Sequence, residues 1–563
     1  MDKQQLLAQA NEKLQFIYGD EYEDFHKNGL ENLISQWENK KWHVPTPISE
    51  KNVYMITYGD SIYEDGKPTL ETLYKFLKNQ IGDTITDVHL LPMFPYTSDD
   101  GFSVTDYRKI NPELGNWEHI EKLSGDYRLM FDFVANHISK SSKWFQGYLN
   151  DDPKYRHYFI PKDENFDTSK VVRPRTSPLY HEYKVALGTK TAWTTFSEDQ
   201  VDVNVRHFPV LLELTDILLE YANKGGTSIR LDAIGFLWKK SASSSIHLPE
   251  THAIIELWHL LLDYFKEGTQ IITETNVPHK ENISYFGDGE NEAHMVYQFS
   301  LPPLVLYTLT THDSTKLTDW AKTIRKVSND ATYFNFLASH DGIGMRPTEG
   351  ILTDEEKQLL VNKVEDNGGR VSYKSNPDGS QSVYELNINY SEALVNKQEN
   401  ETDADAVQKM LAAHSILTSF MGVPAIYYHS LLGSKNYYEG LVASGINRRI
   451  NREKLEYSQI VDELKNEDRR KAIYGGIQEM IKIRQQEPAL SPYAEQRVLD
   501  LNTSVFALER KNEQTGDTVF TVVNIDNKKV TIELPTSGKN LFNDRQVERT
   551  LTLDPYSYAW IKK

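Results

Sequence analysis

The spacing of hydrophobic positions divides the chain into three parts. Over residues 1–50, apolar residues recur at helical spacing in two blocks, Leu6 to Leu14 and Leu30 to Trp37, which predicts two helices. Between 51 and 492, short apolar runs alternate with amphipathic stretches, as in folds whose strands alternate with helices. From 493 onwards, apolar and polar residues alternate in short runs, which predicts a small antiparallel β-domain.

The middle part contains eight apolar runs that predict strands. They lie at 52–58, 88–94, 127–137, 227–234, 270–276, 295–299, 333–341 and 424–428. Eight strands with helices between them favour a closed parallel barrel, so the predicted fold class is α/β, a (β/α)8 TIM barrel with inserted loop subdomains and a C-terminal antiparallel β-domain. The predicted division is a helical extension (1–50), three barrel parts (51–138, 211–345, 401–492), an inserted domain (139–210), an inserted loop or subdomain (346–400) and the β-domain (493–563).

The run 227–234 ends in charge. Arg230 and Asp232 are two positions apart, so they share one face of the predicted strand. An arginine beside an aspartate favours the ionised carboxylate, so we expect the pKa of Asp232 to be lowered. An ionised carboxylate is a usable nucleophile. For this octapeptide alone, a structural ion pair at the strand terminus is an equally good interpretation.

Three further predicted strands also end in polar clusters. The four clusters are 132–137, 230–232, 274–276 and 339–341. In barrels of this type the catalytic groups lie at the C-terminal ends of the strands. Buried charges cost several kcal/mol unless they are paired, which makes a purely structural origin for all four clusters difficult to sustain. The clusters therefore predict one shared active site.

Glycoside cleavage is a reaction that needs such a set, since it uses one ionised carboxylate and one protonated carboxylic acid. Asp232 beside Arg230 suits the first role. Glu274 suits the second, because partial burial and a nearby carboxylate raise the pKa of an acid. Asp341, His137 and His340 suit contacts with sugar hydroxyls, although His340 alone fits a core histidine better.

Composition narrows the range of partners. The net charge of −19 argues against nucleic acid or an anionic membrane as the main partner, and an anionic substrate would need a local basic cluster. The absence of cysteine excludes disulfides and thiolate metal sites. The N-terminus lacks a signal-type apolar core and no run is long enough to span a membrane, so a cytoplasmic location is expected. The chemistry requires no cofactor and no metal.

The four polar clusters resemble the four signature regions of the α-amylase superfamily of (β/α)8-barrel enzymes. That resemblance implies that Asp232 is the nucleophile, Glu274 the general acid/base and Asp341 the residue that stabilises the oxocarbenium-like state. It also implies that the reaction retains the anomeric configuration. The resemblance further assigns substrate binding to Arg230, His137 and His340.

Further motifs resemble the sucrose phosphorylases and their relatives within that superfamily. These motifs lie at 91–95, 99–102, 114–117, 173–175, 200–202, 340–344 and 448–452. The resemblance implies that Asp99 and Arg448 close a pocket around one terminal glucose. It also places Gln200 at the substrate, makes Phe102 an aromatic platform under the sugar ring, and puts Arg175 on a loop that receives phosphate. For Phe102, ordinary core packing is the alternative.

The segment Met-Arg-Pro-Thr-Glu-Gly at 345–350, with Ser339 and the stretch 428–436, is more similar to the glucosylglycerate phosphorylases of that subfamily. Glycerate carries a carboxylate, which Arg346 would pair with, and Thr348 and Glu349 would bind hydroxyls. The prediction is phosphorolysis of an α-glucoside of glycerate to α-D-glucose 1-phosphate, with inorganic phosphate as the second partner. Sucrose, sucrose 6'-phosphate and glucosylglycerol stay open as substrates, as do α-glucosidase or transglucosylase activity and a homodimeric state.

Overall fold

The computed structural model describes all 563 residues, and its centre is a closed barrel of eight parallel strands. We number them β1 to β8 in chain order: Tyr54–Thr57, Asp87–Leu90, Arg128–Phe133, Gly226–Leu231, Gln270–Thr273, Met295–Tyr297, Thr332–Asn335 and Val423–Tyr427. Each falls within or overlaps one of the eight predicted runs, and the predicted fold class is confirmed. Nearly every strand residue is buried, because helices cover the outside and side chains fill the inside.

The strands are shorter than the predicted runs, which changes where the polar clusters lie. β3 ends at Phe133 and β7 ends at Asn335, so His137 and Asp341 lie in the connections that follow, His137 in a two-residue strand, His137–Ile138, that pairs with Val201–Asp202. The register between the neighbouring strands β3 and β4 places Arg230 of β4 opposite Asp132 of β3. The polar groups therefore meet at the C-terminal rim of the barrel, as the predicted fold requires.

Helices cover the outside of the barrel, most of them between successive strands and two of them after β8. The principal ones are Thr69–Phe76, Trp117–Asp126, Phe208–Asn223, Pro249–Phe265, Leu301–Thr311, Thr315–Ala321, Asp403–Ser419, Tyr457–Asn466 and Asp468–Arg484. The connection after β5 holds only the short helix His279–Asn282 and a 3₁₀ turn. No helix of the chain combines the length and apolar character needed to cross a membrane.

Two long connections leave the barrel on the side of the active site. The one after β3 contains the helix Lys143–Leu149 and a hairpin of Tyr180–Val185 with Gly188–Trp193, although its sequence predicted irregular structure. The one after β7 contains the helix Asp354–Asp366 and a hairpin of Arg370–Ser375 with Gln381–Asn387. The second hairpin also pairs with Ile343–Gly344, so it is held against the loop that carries Asp341.

The two ends of the chain pack on the barrel from outside. The two predicted N-terminal helices are present as Lys3–Tyr18 and Asp24–Glu38, and Trp37 of the second donates to Asp216 on a barrel helix at 2.8 Å. The predicted C-terminal β-structure is a six-stranded antiparallel sheet: Glu495–Leu499, Val505–Lys511, Thr518–Asn524, Tyr558–Lys562, Gly538–Asn540 and Gln546–Val547. A separate two-stranded sheet joins Val530–Glu533 to Thr550–Leu553.

Candidate active site

A cleft with about 690 Å³ of open space lies at the C-terminal rim of the barrel, and most of the predicted site residues line it. The structure brings together eleven of the fourteen candidates there: Asp99, Phe102, His137, Arg175, Gln200, Asp232, Glu274, His340, Asp341, Arg346 and Arg448. Arg230 lies below the floor of the cleft, while Thr348 and Glu349 do not line it. Residues from the connections that follow six strands, β2, β3, β4, β5, β7 and β8, therefore form one pocket.

Arg230 lies below the floor of the cleft and is held by hydrogen bonds to three side chains. Its guanidinium is buried and donates through Nη1 to Asp132 Oδ1 at 2.5 Å and to Asp232 Oδ1 at 2.9 Å, and through Nε to the Tyr297 hydroxyl at 2.9 Å. Asp132 also contacts His89 Nε2 at 2.7 Å. Each of these groups is satisfied by a fixed partner, so the orientation of Asp232 is set before any substrate arrives.

Glu274 is held from the opposite side by a turn after β4. Ala233 has left-handed backbone angles, φ 47° and ψ 34°, which cost a non-glycine residue about 1–2 kcal/mol. In this conformation the Ala233 N–H donates to Glu274 Oε2 at 3.0 Å, and Arg230 Nη2 lies 3.9 Å from the same oxygen. The strained turn therefore joins the backbone next to Asp232 to the carboxyl group of Glu274.

The protonation of these two acids differs from the sequence expectation in one respect. Burial raises the pKa of Glu274, as expected, and the charge of Asp341 adds to the effect. Burial also raises the pKa of Asp232 well above its usual value in spite of Arg230, so the expected lowering was wrong. Two buried carboxyl groups in one field retain a proton between them. Because Arg230 contacts Asp232 at 2.9 Å and Glu274 at 3.9 Å, we expect Glu274 to hold that proton.

Asp341 is surrounded by arginines. Its Oδ1 lies 2.9 Å from Arg448 Nη1 and 3.7 Å from Arg452 Nη2. Although burial alone would raise it, these arginines hold the pKa of Asp341 below its ordinary value. Arg448 also binds Glu385, a buried residue of the second hairpin, with Nε to Oε1 at 2.7 Å. Asp341 is thus an ionised carboxylate whose arginine partner is shared with a second carboxylate.

The opposite wall is built around Phe102. This ring is 4% exposed and stacks on His340, with ring centroids 4.8 Å apart and planes 6° from parallel. The Phe102 carbonyl accepts from His137 Nε2 and from Gln200 Nε2, both at 3.1 Å, and Gln200 Nε2 also donates to Asp99 Oδ2 at 3.2 Å. Burial lowers the pKa of both histidines, so they present neutral imidazoles to the cleft.

Asp99 and Arg448, which are predicted to close the pocket around one glucose, both line the cleft but do not form an ion pair with each other. The arginine nearest Asp99 is Arg452, whose Nη1 lies 3.8 Å from Asp99 Oδ1 and 2.9 Å from Asp100 Oδ2. Asp99 and Asp100 both have positive φ, 52° and 46°, which turns their side chains in different directions. Arg448 pairs with Asp341 and Glu385, so Arg452 is the arginine that lies beside Asp99.

The remaining wall carries the residues predicted for phosphate and acceptor. The Arg175 guanidinium lies over two aromatic faces, 4.9 Å from the ring centre of Tyr384 and 5.2 Å from that of Phe196. Arg346 lines the cleft, and its buried Nε has no hydrogen-bond partner in the protein. Neither arginine lies within ion-pair distance of a carboxylate of the chain, although the charge of Arg175 helps to lower the pKa of Asp341 and of Glu385.

The structure does not place two of the predicted acceptor residues, Thr348 and Glu349, in the cleft lining. Thr348 is fully buried in the 3₁₀ turn Arg346–Thr348, and its hydroxyl donates to the Met345 carbonyl at 2.5 Å. Glu349 is exposed and is not part of the cleft lining. Within the segment 345–350, Arg346 is therefore the residue that lines the cleft, and the sequence alone does not show this.

Sequence reasoning missed several residues that structure the site. Tyr384 and Glu385 belong to the inserted hairpin, whose polar sequence predicted only a functional loop. Asp132 stood in a polar cluster, but its partnership with Arg230 depends on strand register. Of these residues, Arg452 could have been found from the sequence, because it lies in the same 448–452 motif as Arg448.

Comparison with known proteins agrees with this architecture. The alpha amylase catalytic domain family matches residues 75–359. The chain is 44% identical to a glucosylglycerate phosphorylase of Spirochaeta thermophila, covering 93% of this chain and 90% of the relative. It is 40% identical to a glucosylglycerate phosphorylase of Escherichia coli, covering 97% of this chain and 98% of the relative.

A solved structure extends the likeness to three dimensions. The crystal structure of a sucrose 6F-phosphate phosphorylase from Thermoanaerobacter thermosaccharolyticum superimposes with a TM-score of 0.74 at 25% identity, covering 89% of this chain and 98% of that one. The predicted resemblance and barrel fold are confirmed by these matches. The chain belongs to the alpha-amylase family, in the same branch as these relatives.

Proposed function

We propose that the protein is a retaining glycoside phosphorylase that transfers glucose from 2-O-α-D-glucosylglycerate to phosphate. The products are α-D-glucose 1-phosphate and glycerate, and the reaction is reversible. The observation that carries this proposal is the identity of 40–44% to glucosylglycerate phosphorylases over more than nine-tenths of the chain. The catalytic cleft supports it, because a charged acceptor wall faces two paired carboxyl groups.

In the first displacement, the Asp232 carboxylate attacks the anomeric carbon as the bond to the glycerate oxygen breaks. Glu274 donates its proton to that leaving oxygen, which departs as a hydroxyl group. Arg230 orients Asp232, and the raised pKa of Glu274 keeps its proton available. The result is a β-glucosyl ester on Asp232, with Glu274 ionised and glycerate released.

In the second displacement, a phosphate oxygen attacks the anomeric carbon and breaks its ester bond to Asp232. Glu274 takes up the proton if phosphate arrives as the monoanion, which restores the starting protonation state. Asp341 stabilises the positive charge that develops on the sugar in both steps, since its pKa is held low by Arg448 and Arg452. Two inversions leave the product with the α-configuration of the substrate.

Phosphorolysis requires phosphate to outcompete water, which is present at far higher concentration. A guanidinium binds a phosphate or a carboxylate through paired hydrogen bonds, and its charge is most effective where no protein carboxylate neutralises it. Arg175 and Arg346 both line the cleft without a direct ion pair to a protein carboxylate. We assign phosphate to Arg175 and the glycerate carboxylate to Arg346.

The test is to measure glucose 1-phosphate and free glucose, with and without inorganic phosphate, from glucosylglycerate, sucrose, sucrose 6'-phosphate and glucosylglycerol. We expect phosphate-dependent glucose 1-phosphate from glucosylglycerate and at most slow turnover of the others. Product mainly from sucrose would keep the mechanism and reject the assigned acceptor. Free glucose without phosphate dependence from every substrate would make the enzyme a hydrolase.

A further inference from the structure

A second cleft opens beside the catalytic one, and it is lined by positive charge. It holds about 1410 Å³ of open space between the two inserted segments, residues 162–180 and 374–377, with Arg346 at the barrel side. We call it the basic groove and define it by its five cationic lining residues: Lys162, Lys170, Arg173, Arg346 and Lys374. None of its fifteen lining residues is an aspartate or a glutamate.

This lining is unexpected for the chain as a whole. The protein has 81 acidic and 62 basic residues, so a cleft with five cations and no acid opposes the overall charge. None of the five forms an ion pair with a carboxylate, whereas ion pairs are frequent elsewhere on the surface. Asp163 and Glu349 act electrostatically on groove residues from outside the lining, but neither pairs with a cation there.

The cationic side chains of the groove have few hydrogen-bond partners within the protein. Lys374 Nζ donates to Asn376 Oδ1 at 2.9 Å, and Arg173 donates to the Ser177 carbonyl. The buried hydroxyl of Tyr180 and the buried Nε of Arg346, both in the lining, have no hydrogen-bond partner at all. Burial lowers the pKa of Lys374 and the charge of Arg346 lowers it further, while Glu349 opposes the shift, so like charges lie close together in the groove.

Arg346 lines both the basic groove and the catalytic cleft, so the two spaces adjoin at this side chain. We propose that the basic groove is a binding site for small oxyanions, phosphate or a carboxylate, that concentrates them and delivers them to the catalytic cleft. The identity of the delivered anions rests on the proposed function, since phosphate and the glycerate moiety are both anionic. The presence of an anion site does not depend on it.

The physical benefit of such a site follows from the charge of the protein. A net charge of −19 repels anions at long range, and a charged cleft with low-dielectric walls can raise local counter-ion concentration and association rates by about 10- to 1000-fold. The effect acts over a Debye length of about 8–10 Å at moderate salt, so it must fall as salt is added. Salt dependence therefore separates guidance by the groove from direct contact in the catalytic cleft.

The kinetic test replaces the three groove lysines, which lie outside the catalytic lining, in the variant Lys162→Gln, Lys170→Gln, Lys374→Gln. We expect kcat/KM for phosphate to fall about tenfold at low ionic strength and less than about twofold at high salt, with kcat at saturating phosphate unchanged. The matched control is Lys27→Gln, Lys471→Gln, Lys528→Gln, three exposed lysines without ion pairs that give the same change in net charge. Equal kcat/KM values for the two triple variants at low salt would overturn the proposal.

A binding measurement separates this proposal from the proposed function. Inorganic phosphate alone is titrated into the wild-type protein, the groove variant and the control variant, with ³¹P line broadening as the signal. We expect wild type and control to bind alike and the groove variant to bind at least fivefold more weakly. Phosphate binding that depends on the groove lysines, in a protein without phosphorolysis, would reject the function and retain the groove. Identical titrations for all three proteins, with phosphorolysis intact, would reject the groove and retain the function.

Discussion

The two walls of the catalytic cleft are built in opposite ways. On the barrel side, Arg230, Asp132, Asp232 and Tyr297 satisfy one another through hydrogen bonds of 2.5–2.9 Å on strands of the sheet. On the insertion side, Arg175 and Arg346 have no carboxylate partner and sit on connections outside the barrel. The first wall is organised before substrate binds, whereas the second holds two guanidinium groups without a direct ion pair.

The difference between the two walls separates the residues that carry out the chemical steps from those that select the acceptor. The chemical steps need carboxyl groups held in fixed geometry, which strands provide more accurately than loops. The choice of acceptor needs groups that can differ between relatives without disturbing those strands, and connecting loops tolerate such change. Variants on the barrel wall should therefore abolish turnover on every substrate, whereas variants on the insertion wall should change which substrate is preferred.

The largest effect is expected for Asp232→Asn. The amide keeps the shape of the side chain but cannot form the glucosyl ester, so glucose 1-phosphate formation should fall by about four orders of magnitude or more on every substrate. The initial rate with saturating glucosylglycerate and phosphate measures this, with the thermal unfolding midpoint as a check on folding. A rate within tenfold of wild type would reject the nucleophile assignment.

A selective effect is expected for Arg346→Ala. Loss of a charge-assisted contact to a carboxylate costs about 1.5–3 kcal/mol, which corresponds to a loss of about 10- to 100-fold in kcat/KM for glucosylglycerate. Glucosylglycerol has no carboxylate, so its kcat/KM should change by less than about threefold. Arg449→Ala is the matched control, because Arg449 pairs with Asp100 and is absent from the cleft lining. Equal losses on both substrates would show that Arg346 does not read the carboxylate.

The dependence of kcat/KM on pH tests the electrostatic effect of Asp341 on the pKa of Glu274. Glu274 must be protonated in the first displacement, and its pKa is raised above 4.5, so kcat/KM should fall as pH rises through that raised value. The charge of Asp341 is one cause of the raised pKa. In Asp341→Asn the alkaline limb of the residual activity should therefore move to lower pH, by about one unit or less. A shift to higher pH would contradict the electrostatic assignment.

The positions of the residues in the barrel wall were predictable because they depend on patterns that are local in the sequence. Each catalytic carboxyl group follows a strand that is predicted by an apolar run in the sequence. Parallel strands of a barrel bring their C-terminal ends to one rim. Arg230 and Asp232 share a face by alternation alone, and their contact at 2.9 Å confirms that step. The pKa of Asp232 was not predictable in this way, since it depends on burial by residues distant in sequence.

The insertion wall was predicted less well because its contacts cross long sequence separations. Glu385 reaches Arg448 from a hairpin 63 positions earlier in the chain, and no periodicity connects them. Arg448 and Arg452 occur in one motif, but only the fold decides which of them faces Asp99. Thr348 and Glu349 were assigned by proximity to Arg346, and a single 3₁₀ turn removes both from the cleft.

That turn provides the smallest and most discriminating prediction. Because Glu349 is exposed and outside the lining, Glu349→Gln should leave kcat/KM for glucosylglycerate and for phosphate within about twofold of wild type, as surface substitutions usually do. Thr348→Val should lower the free energy of unfolding by about 1 kcal/mol through loss of its bond to Met345, with acceptor preference unchanged. A change in the ratio of kcat/KM for glucosylglycerate and glucosylglycerol in either variant would mean that the turn rearranges around the acceptor. The open insertion wall would then extend beyond Arg346, and its unpaired charges would be only part of what selects the substrate.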